Sequence, residues 1–161
     1  MKQLVIGWGN PIAGDDGIGI RASQLVSKRV HPEVCVTASS HSGLRLVEGM
    51  FGYDRVIIAD ARVGTPERGV DRTSVRPDSL PPMTSGVRHD SGLVDALRVM
   101  RSLNASDLPE EVVILSRAIP APKVWNDELS VAGEHAAESL ANAVIGELEV
   151  TAIVQDEGRF G

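Results

Sequence analysis

Strand-length apolar runs alternating with stretches of helical periodicity are what most limit this chain. Leu4–Gly7, Val34–Thr37, Val56–Asp60 and Val112–Ser116 are short and rich in Val, Ile and Leu. The run VIIAD has no polar residue before its last position, the pattern of a strand covered on both faces. Between the runs, Ile18, Ala22, Leu25 and Val26 recur at the spacing of one helix face, as do Leu93, Ala96, Leu97 and Met100. A last stripe comprises Ala137, Leu140, Ala141, Val144, Ile145 and Leu148. Asp15 and Asp16 stand where the first helix would start, Asp90 or Ser91 can cap the helix after His89, and Ser130 can cap the last. Leu44–Met50 reads as a short helix and Gly69–Arg76 as an antiparallel strand. This order predicts an α/β fold: a three-layer sandwich with a mostly parallel central sheet flanked by helices. The expected layout is one domain over residues 1–154, with a frayed tail over 155–161.

Composition narrows the function. Sixteen Lys+Arg against 22 Asp+Glu give a net charge of −6, and with no basic block the chain lacks the clustered cations that nucleic-acid binding requires. Cys35 is the single cysteine, so this chain alone can form neither an internal disulfide nor a thiolate metal site. Within VCV it reads as a buried, inert thiol. No apolar run approaches the roughly 20 residues of a membrane helix, and MKQLVIGWGN does not read as a signal peptide. A cytoplasmic, monomeric protein is the expectation.

In parallel sheets, ligands bind beyond the carboxyl ends of the strands, so the residues that follow the apolar runs carry the chemistry. After the first comes GWGNPIAGDDGIG, Gly7 to Gly19. It is not a dinucleotide fingerprint. Ile12 occupies the third glycine position, and Asp15 and Asp16 would repel a pyrophosphate at the helix N-terminus. No Lys-Ser/Thr follows Gly14, which excludes a P-loop. Two carboxylates in a glycine-lined turn are either helix caps or oxygen donors for a cation. Asp60, closing VIIAD, either caps a turn or points into the cleft at the sheet's end. His89 is either a surface histidine or a ligand. Asp16, Asp60 and His89 together would suit Ni²⁺ or Zn²⁺ with positions left open.

The combination of GWGNPIAGDDGIG, VIIADA and HDSGLVDAL resembles the NiFe-hydrogenase maturation endopeptidases, which remove a C-terminal extension from the hydrogenase large subunit after nickel insertion. By position, the resemblance implies that Asp16, Asp60 and His89 are both the metal contacts and the catalytic residues of an aspartic-type, metal-dependent endopeptidase. The nickel would be carried by the large-subunit precursor, with zinc or cadmium able to substitute in vitro. Gly9, Asn10, His41 and Trp125 are candidate cleft residues, and Trp8 could flank the same cleft. The sequence departs from the family in two places: ASSHSGL (Ala38–Leu44) replaces a glycine-rich stretch, and Ala121 in AIPAPKVWNDELS stands where the family has Glu.

Two other classes compete. A nickel-binding chaperone module could dock on the precursor through the same residues without cutting it. A small-metabolite hydrolase or phosphorylase would need an anion site, for which Arg62, Arg68, Arg72 and Arg76 are the candidates. Their plainer reading is a solvated edge.

Overall fold

The computed structural model describes residues 1–66, 69–81, 92–103, 105–123 and 125–157, of which 150–157 as backbone alone. Among the described residues, the central sheet has five strands: β1 (Gln3–Trp8), β2 (Cys35–Ser39), β3 (Arg55–Val63), β4 (Asp71–Val75) and β5 (Glu111–Ile119), in the order β2-β1-β3-β5-β4. Every pairing is parallel except β4 with β5. The expected α/β sandwich with a mostly parallel sheet is therefore present, and its antiparallel strand lies within Gly69–Arg76.

Helices α1 (Ile18–Ser27) and α4 (Val131–Glu157) cover one face; α2 (Gly43–Glu48) and α3 (Leu93–Ser102) cover the other. The alternation of side chains along each strand divides the core between the two layers. Val5, Ile57 and Val113 pack with Ile18, Ala22, Leu140 and Val144. Leu4, Ile6, Val56, Ile58 and Val112 pack with Leu46, Val47 and Leu97. All of these are almost fully buried, and each of the Val, Leu and Ile side chains contributes about 1.5–3 kcal/mol through its removal from water. The stripes expected on the first and last helices face the core on the α1/α4 side, with Leu25 and Ile145 only partly buried. Helix α4 runs on to Glu157, into the stretch expected to fray. Helix α3 starts at Leu93; the caps proposed at Asp90 and Ser91 lie outside the described residues.

Two expectations change. Strand β3 does not stop at Asp60 but continues to Val63, because β5 pairs with it as far as Val63↔Ile119. Its pairing with β1, in contrast, ends at Gly7↔Ala59. Cys35 is exposed rather than buried. It lies on the edge strand β2, where it accepts a hydrogen bond from the Tyr53 hydroxyl at 3.2 Å.

At the amino ends of the parallel strands lies a charge network that the apolar patterning gave no hint of. Arg55, opening β3, is 6% exposed. Its Nε donates to Glu111 at 2.7 Å, and Nη2 pairs with Glu147 of α4. Arg72 of β4 donates to both Glu147 carboxylate oxygens at 2.9 and 2.7 Å, and the Ser74 hydroxyl donates to Glu111 at 2.5 Å. The Arg72 hydrogen bonds hold Glu147 below the ordinary carboxylate range, and Arg55 adds to this against the opposing effect of burial. Burial works to raise Glu111 too, but its bonds from Ser74 and Arg55 leave it lowered.

These two glutamates contribute stability that is present above the ordinary Glu value of 4.5 and is lost as pH falls through their depressed values. Arg55→Met should destabilise the fold by about 2–3 kcal/mol at pH 7, since it removes the buried cation shared by two part-buried carboxylates. Urea titrations should also show a shallower loss of stability below pH 4.5 in the variant than in the wild type.

Candidate functional site

Strand order reverses between β1 and β3. The chain leaves β1 toward β2 on one side and leaves β3 toward β4 and β5 on the other. A reversal of this kind leaves a crevice outside the carboxyl ends of the two strands. Asp60 is the first β3 residue past its pairing with β1, so it stands at the crevice floor. Asp16 reaches the crevice from the single 3-10 turn Gly14–Gly17, which joins β1 to α1.

Close backbone packing sets the height of that turn. A Cβ on Gly19 would lie 2.2 Å from the Ala59 carbonyl oxygen and 2.4 Å from that of Trp8; a Cβ on Gly9 would lie 2.1 Å from the Asp16 carbonyl oxygen. Only hydrogen fits at either position. Asn10 completes the frame. Its N–H donates to Asp16 Oδ2 at 3.0 Å, while its side-chain Oδ1 accepts the Ile12 N–H at 3.1 Å.

The resulting cleft has a volume of about 630 Å³ and is lined by Trp8, Gly9, Asn10, Pro11, Ile12, Asp16, Ser40, Asp60 and Ala61. Burial pushes the Asp60 carboxyl up to about 7; a hydrogen bond from the Ala61 backbone opposes the rise, and the charge of Asp16 adds to it. Two carboxylates share one concave site, and one of them is held short of full ionisation at neutral pH. A cation placed there would favour the charged form of both.

Of the residues singled out in the sequence, Asp16, Asp60, Gly9 and Asn10 thus meet in one cleft. His89 lies outside the described residues. Among the described residues, no three His, Cys, Asp or Glu side chains gather as a metal site; Asp16 and Asp60 supply two oxygen donors. His41 does not line the cleft; its carbonyl accepts the indole N–H of Trp8, which does, at 2.7 Å. It is the neighbouring Ser40 that lines the cleft, a residue the sequence did not single out. Trp125, 76% exposed, lies beside an adjacent depression with Ala13, Pro122 and Lys123. The two loops are joined by a bridge between Ala13 and Asn126.

Two of the four arginines considered for an anion site are otherwise engaged: Arg62 pairs with Asp71 at 2.6 Å and Arg72 with Glu147. Arg68 lies outside the described residues, and neither Arg62, Arg72 nor Arg76 lines the cleft of Asp16 and Asp60.

The arrangement is that of a doubly wound α/β protein with an acid pair at its switch-point crevice. The chain is 30% identical over 105 residues to the hydrogenase 2 maturation protease of Escherichia coli K12. That match takes in 63% of this chain and spans 64% of the relative's length. No protein-family model matches. Among solved structures, the E. coli hydrogenase maturating endopeptidase HybD superposes with a TM-score of 0.70 at 23% identity, covering 94% of each chain. A hydrogenase 2 maturation peptidase from a Thaumarchaeota archaeon gives 0.64 at 25% identity, covering 92% of this chain and 98% of that one. In sequence and in fold, then, the chain is similar to the hydrogenase maturation proteases, and it spans a little under two thirds of the curated relative's length.

Asp60 also makes a stability prediction. Its carboxyl is raised in the folded state, so its contribution is fully present below the unfolded value of 3.8 and is lost as pH rises to about 7. Asp60→Asn removes the charge that burial opposes. The variant should gain little at pH 4 and on the order of 2–3 kcal/mol at pH 8, allowing for partial exposure. Thermal unfolding of both proteins across this range measures the difference.

Proposed function

We propose that this protein is a processing endopeptidase that removes the C-terminal extension of a hydrogenase large-subunit precursor after nickel insertion. The observation that carries the reading is the pairing of Asp16 with a half-buried Asp60 on the two sides of the β1/β3 crevice, with Asp60 raised to about 7. The family likeness supports the same reading.

In this mechanism the nickel is part of the substrate. Asp16 and Asp60, with His89 as third donor, complete its coordination and so bring the scissile peptide into the cleft. The ion polarises the carbonyl or lowers the pKa of a bound water. Hydrolysis adds the water's hydroxyl to the carbonyl carbon and a proton to the departing amine nitrogen. A carboxylate not bound to the ion at that moment takes the proton from water and passes it on. Asp16 or Asp60 fills this role. Specificity follows from the same geometry: a precursor without nickel lacks its anchor. The substrate is a cytoplasmic protein in this reading, and the enzyme acts as a monomer.

The test uses purified protein with nickel-loaded and nickel-free precursor, following loss of the C-terminal peptide by mass spectrometry. Cleavage of the loaded form alone is expected. Equal cleavage of both would refute metal gating, and stable binding without cleavage would reassign the protein as a docking module. Asp16→Ala, Asp60→Ala and His89→Ala should each lower processing by at least about 100-fold, in line with loss of a group acting at the reacting centre.

A further inference from the structure

The two adjacent aspartates of the first turn do different work. Asp16 faces the cleft. Asp15 turns away from it, toward the start of α4, where its Oδ1 accepts the Ser130 N–H at 2.8 Å and its Oδ2 accepts the Ser130 hydroxyl at 2.6 Å. The Ser130 oxygen accepts in turn from the Gly133 N–H at 2.9 Å, capping the helix. The fit is close: a Cβ on Gly133 would stand 2.1 Å from Asp15 Oδ1. The same stretch of chain grips the turn a second time. Gly14 N–H donates to the Asn126 carbonyl at 2.7 Å, and Asn126 N–H donates to the Ile12 carbonyl at 3.0 Å.

We infer that Asp15 is a positioning residue: its clasp on Ser130 and Gly133 fixes the 3-10 turn against α4, and so sets where the Asp16 carboxylate stands in the cleft. Three peptide units of this turn connect Ala13 to Asp16, whose N–H donates to the Ala13 carbonyl at 3.2 Å. A turn this short cannot shift at Asp15 without moving Asp16. The bond from Asn10 N–H to Asp16 Oδ2 reports that position directly. This assignment rests on the reading of Asp16 as a residue that grips the substrate's cation, so its test includes one measurement that does not.

The experiment compares wild type with Asp15→Ala, Asp15→Asn and Ser130→Ala, well below their melting temperatures. Amide hydrogen exchange is followed by NMR, and processing of nickel-loaded precursor is measured per folded molecule. In Asp15→Ala, the Asn10 amide should exchange at least about tenfold faster while Val5 in β1 keeps its protection. In the same variant kcat should fall about 10–100-fold with KM little changed, the effect of a misplaced reacting group. Asp15→Asn, which keeps an acceptor for Ser130, should recover most of the rate. Ser130→Ala should show a smaller loss in the same direction, and the two alanine changes combined should be less than additive. Wild-type Asn10 exchange in Asp15→Ala overturns the inference, whatever happens to the rate. So does a wild-type kcat accompanied only by a lower melting temperature. If wild type itself cuts no precursor, the proposed function falls, and the Asn10 exchange alone decides whether Asp15 places Asp16.

Discussion

The carboxyl pole of this protein depends on one close contact, the seating of α1 on β1 and β3 with nothing larger than hydrogen between their backbones. Gly19 approaches the carbonyls of Ala59 and Trp8, and Gly9 that of Asp16, too closely for any side chain. This contact lowers the start of the helix onto the strand ends. The 3-10 turn then has no room to arch away, and Asp16 is delivered to the level of Asp60. Without the contact the same two acids would sit on a loose loop and a strand end, with no fixed relation between them.

The two poles of the sheet handle charge in opposite ways. At the amino pole, Arg55 and Arg72 are matched against Glu111 and Glu147, and the carboxylates are held ionised. That pole binds the sheet to α4 and is chemically quiet. At the carboxyl pole, Asp16 and Asp60 line a cleft, and Asp60 carries the energetic penalty of burial. Penalties of this kind are the usual mark of a site arranged for a ligand.

The layers were legible in the sequence because burial on both faces leaves an unmistakable run such as VIIAD, and because helical stripes such as Ala137–Leu148 repeat locally. The acid pair was legible for a related reason: it follows two of those runs, at the ends where parallel sheets bind ligands. What escaped were relations between distant residues. Arg55 finds its partners 56 and 92 positions away, and Asp15 finds Ser130 115 positions away, so no local pattern announces either. Cys35 misled because VCV has the composition of a core strand, whereas strand order put it at the sheet's edge. The end of β3 was misplaced because its length is set by β5, not by its own residues.

The scarcity of aromatic residues gives this architecture an optical consequence. The chain has two tryptophans, and neither is in the deep core. Trp8 lines the cleft with its indole fastened to a loop carbonyl, and Trp125 stands almost bare on the neighbouring loop. Ultraviolet emission from the protein therefore comes from the pole where the acids lie, and the two indoles differ in how much water surrounds them. Anything that covers the depression beside Trp125 would dry that indole and blue-shift its light, while Trp8 reports on the cleft itself.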